Sequence, residues 1–448
     1  MKKFYFLAVI ALVAGVSCAK QVPDATQDKD VAISFSPVSQ RVGTKANVYG
    51  EQNATYTAGA PGAYESFAAW AYYTGEASAT TNPQTNSTAS AGSAFFGTGS
   101  AGDVCNHVGG DTGKDYWAPA TTYYWPRAGY LHFHAMSPAD FGTGTLAHDW
   151  ESGISITGYV APQYTDGTAV EQTADNQIDL MYSDFIFDQQ RSSYTQTGNT
   201  VGTYDDDDDS GIYKHDGVNV LFRHALSLVQ FKVKTAADYG SGTHQHEFYV
   251  RKIEVLNAYN TGDFNENRKN DCSNGYKAVA NMTGKIGFTS DNANDSATPF
   301  WSNFSNEVTL TPYDVTAGDA MTGTKATTTS AISTVGTTLI TLPQALGLHP
   351  QTPPADTKNV QVRVTFDYRF SVDSGSNWTD ATGQTITVDL SGAHGTYNGG
   401  TPDDYTVNNW LINHKYVYTL QFKLDPIIFD PAVEAFVTVG DITVDLPF

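Results

Sequence analysis

Apolar and polar residues alternate along most of the readable stretches of this chain, and the period is two. From Tyr416 to Leu424, Tyr416, Tyr418, Leu420, Phe422 and Leu424 share one face, while Lys415, Thr419, Gln421 and Lys423 share the other. That pattern predicts a half-buried strand. Val360, Val362, Val364, Phe366, Tyr368 and Phe370 alternate just as cleanly against Gln361, Arg363, Thr365, Asp367 and Arg369. Shorter strands are predicted at Phe67–Tyr73, Thr121–Trp125, Tyr130–Met136, Ile154–Val160, Ile178–Tyr182, Phe248–Leu256, Thr338–Leu342 and Ile386–Leu390. Two short alternations lie towards the two ends of the sequence. Val31, Ile33 and Phe35 face one way near the start, and Ile442, Val444, Leu446 and Phe448 face one way at the end. Between Val218 and Val233 the phase changes: Val218, Val220, Phe222, Leu226 and Leu228 give way to Val229, Phe231 and Val233. Such a flip predicts a bulge or burial of both faces.

No long stretch carries apolar residues at helical spacing. Gly, Thr, Ser and Asn fill the gaps, 40 Gly among them, and charged residues make up only 16%. The fold class expected is all-β with many turns. At 448 residues the chain exceeds one sandwich domain of about 100–200 residues, so two in tandem are expected. The boundary is placed near the phase change, giving an N-terminal unit at 31–215 and a C-terminal unit at 216–448. Asn257 to Ser296, rich in Asn and Asp, is expected to be looped for much of its length. The formal net charge of −22 argues against nucleic acid or an anionic membrane surface as a direct partner.

Residues 1–18 read as an export signal: Lys2 and Lys3, then an apolar run from Phe4 to Val16 too short to span a bilayer. Its end, Gly15-Val-Ser-Cys18, resembles the signal of bacterial lipoproteins, in which the cysteine becomes the acylated first residue. Gly15 stands where an aliphatic residue is usual. An ordinary secretory signal with an incidental cysteine is the alternative. Residues 19–30, polar and containing Pro23, read as a tether.

Candidate chemistry is sparse. There is no Gly-rich phosphate loop, no G-x-S-x-G elbow and no H-E-x-x-H. His132 and His134 share one face of a strand, and the expectation is a pair of solvent-face histidines rather than a metal site. His244 and His246, in an expected loop, read the same way. The run Asp205–Asp209 beside Ser210-Gly211 fits neither frame of an EF-hand loop, so it reads as a solvated loop with at most a weak cation site. Trp117, Trp150, Trp301 and Trp378 could stack on sugar rings, but core positions are the ordinary place for such side chains. Cys105 and Cys272 lie far apart in sequence and read as free thiols. No catalytic residue, cofactor or metal is expected.

Four segments carry a family resemblance: Tyr123-Tyr-Trp-Pro-Arg-Ala-Gly-Tyr-Leu-His-Phe-His-Ala-Met-Ser-Pro138, Ile178-Asp-Leu-Met-Tyr182, Val218-Asn-Val-Leu-Phe-Arg-His-Ala-Leu-Ser-Leu228, and Asn413-His-Lys-Tyr-Val-Tyr-Thr-Leu420 with Ile428-Phe-Asp-Pro431. In this order, after a lipoprotein-like signal, they resemble the fimbrillin-like (Mfa-like) family of Bacteroidales, which includes the subunits of type V pili. The resemblance implies two transthyretin-like β-sandwich domains, export as a lipoprotein acylated at Cys18, and a place at the outer membrane or in a fimbrium with a role in adhesion. It implies as partners other pilus subunits and a trypsin-like maturation protease. In polymerising members that protease cuts after a basic residue behind the first strand, and a strand from a neighbouring subunit fills the groove. Arg41 matches the cleaved position best and Lys45 second. The excised strand would carry Val31, Ile33 and Phe35. The donor face would be Ile442, Val444, Leu446 and Phe448, unless that strand merely completes its own sandwich. The alternative role is a non-polymerising cell-surface lipoprotein that binds a glycan or host ligand.

Overall fold

The computed structural model describes residues 32–39, 66–75, 93–108, 116–149, 152–161, 170–171, 177–183, 186–189, 217–266, 300–328, 333–347, 358–395, 405–423, 432–435 and 442–446. Every regular element among them is a strand. In chain order the first are β1 (Phe35–Ser39), β2 (Ser66–Gly75), β3 (Ser93–Phe96), β4 (Asp103–Val108), β5 (Tyr116–Pro119), β6 (Tyr130–Ser137), β7 (Thr145–Asp149) and β8 (Gly153–Val160). Then come β9 (Val170–Glu171), β10 (Met181–Ser183), β11 (Ile186–Gln189), β12 (Val218–His224), β13 (Ser227–Thr235), β14 (Gln245–Asn265), β15 (Phe300–Asp314) and β16 (Thr324–Lys325). The last are β17 (Ser333–Thr341), β18 (Gln361–Ser371), β19 (Thr379–Asp389), β20 (Ala393–Gly395), β21 (Tyr405–Val407), β22 (His414–Phe422), β23 (Ala432–Ala435) and β24 (Ile442–Leu446).

A 9-stranded sheet runs β11-β6-β10-β12-β1-β5-β4-β2-β3, and β6 also pairs with β2. That extra pairing closes the sheet on itself, so β6, β10, β12, β1, β5, β4 and β2 form a ring. Inside it pack Phe35, Phe67, Phe96, Trp117, Leu131, Phe133, Val218, Val220 and Phe222. Closure removes the open edges that a sheet of this size would otherwise expose.

The C-terminal half is a sandwich. A 5-stranded sheet, β17-β13-β22-β23 with β24 also on β22, faces an 8-stranded sheet built on β19-β18-β14-β15-β9. Val229, Phe231 and Val233 of β13 and Tyr416, Tyr418, Leu420 and Phe422 of β22 meet Phe248, Val250, Val362, Val364 and Phe366 from the other side. Phe248 stacks on Phe422 with ring centroids 4.7 Å apart. These are the alternating residues of the sequence, and alternation places them all on inner faces.

β14 is far longer than its sequence pattern predicts. It continues past Asn257, which takes φ 60, and pairs with β15 as far as Asn265↔Phe300. The stretch read as loop from Asn257 is therefore strand for its first part. The reason lies in β8, which pairs with this extension from Thr261↔Val160 to Asn265↔Ser155. A third core forms there, with Trp70, Met136, Leu180 and Tyr182 from the ring's outer face against Ile154, Ile156, Tyr159, Phe264 and Trp301.

This third core explains the phase change. Val218, Val220 and Phe222 point into the ring, Ala225, Leu226 and Leu228 into the third core, and Val229, Phe231 and Val233 into the sandwich. Two strands meet at Ala225–Leu226, where one bulged strand is expected. The sequence reading also puts Val218–His224 at the start of the second unit. Its pairing is with β1 and β10, in the first sheet.

Candidate functional site

The first strand is seated between two neighbours. β1 runs parallel to β12 from Phe35↔Val218 to Ser39↔Phe222 and meets β5 at Phe35↔Trp117. Before it, Ala32 bridges Tyr124, the Ile33 N–H donates to the Tyr123 carbonyl at 2.8 Å, and the Val218 N–H donates to the Ser34 carbonyl at 2.8 Å. The strand thus lies a few residues later than the Val31, Ile33 and Phe35 alternation predicts, and it runs through Pro37 to Ser39. In the parallel register, Ser34 and Ser36 turn their backbone groups to β12, and Pro37 turns away. Its missing N–H falls on the side of β5, whose pairing with β1 among the described residues is Phe35↔Trp117.

Ile33 is 2% exposed and Phe35 fully buried. The Phe35 ring stands edge-on to Phe133 at 5.5 Å, Phe67 at 5.7 Å and Phe96 at 6.3 Å. Gly217, at φ +59, lets the β12 backbone come up against β1. A Cβ there would lie 2.5 Å from the Phe35 carbonyl carbon. Burial of Ile33 and Phe35 is worth at most about 1.5–3 kcal/mol each. The sum is a large share of a typical domain stability of about 5–15 kcal/mol. Val31 and the basic residues Arg41 and Lys45 lie outside the described residues, as does Cys18.

At the other end of the chain, β22 has β13 on one edge. Its other edge is covered in two pieces. β23 pairs antiparallel with the first part, His414↔Ala435 to Val417↔Ala432, and β24 pairs parallel with the second, Tyr418↔Ile442 to Phe422↔Leu446. Ile442, Val444 and Leu446 are therefore on a strand that sits in this chain's own sheet. Phe448 lies outside the described residues.

The other singled-out residues fall as follows. His132 and His134 are buried, at 2% and 0% exposure, and not on a solvent face. Sequence alternation missed this because β6 is covered on both sides, by the ring core and by the third core. His246 is on β14, half-buried, with Nδ1 2.5 Å from the Tyr368 hydroxyl; burial first, then His244, holds its pKa below the ordinary value. His244 is exposed. Trp117 and Trp301 are core residues. Trp378 is half-buried, and the Arg369 guanidinium lies 4.5 Å from its ring centroid. Cys105 is a free, buried thiol, pushed well above its usual pKa by burial and then by Asp103. Trp150, Cys272 and Asp205–Asp209 lie outside the described residues. Among the described residues no group of His, Cys, Asp and Glu is arranged to hold a metal ion, and no helix is long and apolar enough to cross a membrane.

Two arrangements had no sequence signal beyond residue type. Asp179 and His224 form a buried pair at 2.8 Å. Arg251 donates to Asp367 at 2.7 Å and to the carbonyls of Val315, Thr316, Gly318 and Asp319.

Among solved structures, the fold is similar to a fimbrial protein from Bacteroides vulgatus, at TM-score 0.41 and 13% identity, covering 90% of this chain and 99% of that one. The tip fimbrial protein Mfa3 from Porphyromonas gingivalis, with C-terminal truncation, is similar at TM-score 0.32 and 10% identity, covering 90% and 99%. No curated protein matches the chain. A protein-family model described as fimbrillin-like matches residues 65–428, which leaves β1, β23 and β24 outside the matched range. The chain belongs to the fimbrillin-like family.

Proposed function

We propose that this protein is a fimbrial structural subunit, exported as a lipoprotein acylated at Cys18 and assembled at the outer membrane by protease-triggered strand exchange. Its role is structural and adhesive, not enzymatic. The observation that carries this reading is the seat of β1. One short strand closes the ring, contributes the Phe35 side chain to its centre, and is followed within a few residues by Arg41 and Lys45. Cutting there leaves β1 held by non-covalent contacts alone. A strand of similar pattern then restores both the ladder bonds and the apolar contacts, which is β-augmentation. The C-terminal strand carrying Ile442, Val444, Leu446 and Phe448 is the proposed donor. The partners are other subunits and a trypsin-like maturation protease.

The test is to trim purified precursor with a trypsin-like protease. Expected are loss of the segment ahead of Val42 or Ala46 and polymers visible on unboiled SDS gels and by electron microscopy. Clean trimming that yields only monomers excludes the polymerising role and favours the surface lipoprotein that keeps its first strand.

A further inference from the structure

Among the described residues the large apolar side chains left exposed are Val104 at 44%, Tyr124 at 48% and Val372 at 58%. The strand registers place them at opposite ends of the molecule. Ser39 pairs with Phe222, and just past His224 the chain crosses at Ala225–Leu226 into the sandwich. The Ser39 end of β1 therefore faces the sandwich, and the Ala32 end faces away. Ala32 bridges Tyr124 at that far end. Tyr123 turns inward onto Phe96, ring centroids 4.8 Å apart, and Tyr124 turns outward. Cys105 packs into the ring core, so its neighbour Val104 faces out. The registers Phe35↔Trp117 and Cys105↔Pro119 set Val104 near the level of Ala32, two strands away.

Val372 is at the other extreme. β14 is 21 residues long, about 70 Å of strand at about 3.3 Å per residue. Its Asn265 end pairs with β8 beside the ring. Its Gln245 end pairs with Ser371, so Val372 follows at the end remote from the ring. Phe370 and Tyr239 are half-buried there.

We propose that in the polymer the ring end of one subunit, carrying Tyr124 and Val104, packs against the sandwich end of a second copy, carrying Val372, while that copy's β24 enters the groove at Ala32. The contact presupposes the strand exchange proposed above.

The direction of entry decides which surfaces meet. The donor's body precedes β24 in the chain, so it abuts the end of the groove that β24 enters first. Entering parallel to β12, as β1 lies, β24 comes in at Ala32, clear of the acceptor's own sandwich. Entering the other way brings the donor's body to the Ser39 end, where that sandwich stands. On the donor, β13 starts at the ring and β22 runs parallel to it. β24 runs parallel to β22 from Tyr418 to Phe422, so it already points to the Val372 end. Its tether is short. Ala435 of β23 pairs with His414, at the ring end of β22. From Ala435 to Ile442 the chain spans at most about 25 Å, and β22 from His414 to Phe422 covers about 26 Å. A donor strand still rooted in β23 therefore reaches a neighbour only when the two ends touch. Unlike surfaces meet head to tail, which extends as an open filament.

The test uses the full chain, trimmed with a trypsin-like protease. The photo-crosslinker p-benzoylphenylalanine in place of Tyr124 should join subunits of the polymer at a peptide containing Val372. In place of Tyr116, on β5 towards the Ser39 end, it should not. Val372→Asp is remote from the groove, so its trimmed form should bind a synthetic peptide of residues Asp441–Phe448 as the native form does. Its elongation should be about tenfold slower. Polymers that cross-link from Tyr116 and not from Tyr124, or that elongate at the native rate with Val372→Asp, overturn this contact and leave strand exchange standing. Absence of polymers from the native chain overturns both.

Discussion

His224 and Asp179 pair inside the protein, Nδ1 to Oδ2 at 2.8 Å, each side chain 2% exposed. His224 ends β12 and Asp179 precedes β10, and the Ala225 N–H donates to the Leu180 carbonyl beside them. The pair therefore fixes the place where the chain leaves the ring. Removing Asp179 takes a carboxylate partner from a buried imidazole. Asp179→Ala is expected to cost about 1–3 kcal/mol, read as a lower urea midpoint. Midpoints within error of each other would contradict that role.

Phe35 carries the ring's core on the shortest of tethers. Phe35→Ala is expected to cost about 3–5 kcal/mol in the untrimmed chain, because three phenylalanine rings lose their common contact. Gly217→Ala should destabilise as well, since its Cβ would meet the Phe35 backbone at 2.5 Å with a φ of +59 behind it. Thermal melts of both variants against a surface control check this.

Asp367 lends itself to a pH test. Burial alone would raise its pKa, but the N–H groups of Gly383 and Met321 and the Arg251 guanidinium outweigh that and hold it below the ordinary carboxylate value. The sign is the usual one for a depressed acid: the stabilisation is present above the unfolded value of about 3.9 and is lost as the pH falls through the folded value. Asp367→Asn should therefore weaken the protein at neutral pH and flatten its acid limb. An unchanged acid limb would show that Asp367 is not the group being titrated.

The long strands were legible because alternation with one buried face is a direct readout of a sheet, whereas Thr121–Trp125, read as a strand, forms only the isolated bridge of Tyr124 to Ala32. The inner faces of β13, β18 and β22 are the residues the period picks out. What alternation cannot show is which sheet a strand joins. Val218–His224 and Ser227–Thr235 read as one interrupted strand, yet Ala225–Leu226 carries the chain from the ring to the sandwich. Nor does it show burial on the second face, which is why His132 and His134 read as solvent residues. Their cover comes from β7, β8 and the end of β14, distant in sequence and identifiable only once β14 is known to run on to Asn265. For the candidate site, the apolar residues Ile33 and Phe35 were legible, while the parallel register with β12 was not.

Lipidation rests on the apolar run ending at Cys18. Cys18→Ala is expected to abolish palmitate labelling and to release the protein from the membrane fraction. A single acyl chain gives only marginal anchoring, so the mature protein should carry more than one. Normal membrane retention of the variant would remove the lipoprotein reading.

Strand exchange makes the most specific demands. With β1 cut from the chain, its ladder partners on β12 and the pocket around Phe35 need a replacement. The proposed donor strand pairs with β22 in its own chain from Tyr418↔Ile442 to Phe422↔Leu446. Leaving to serve a neighbour, it would uncover the β22 edge from Tyr418 to Phe422, which β23 does not reach. Donation therefore costs the donor subunit part of its own sheet and is favourable only if the neighbour's groove returns more. Three outcomes follow. Arg41→Ala with Lys45→Ala should leave full-length monomers after protease treatment. Deleting Asp441–Phe448 should stop elongation while leaving the groove able to accept a donor. Ile442→Asp should weaken assembly strongly, because it brings an unpaired charge to an apolar groove. Gel ladders and electron microscopy of trimmed protein distinguish these. Polymers that form equally well without the last eight residues would move the donor to Ala435–Val439, beside the end of β23.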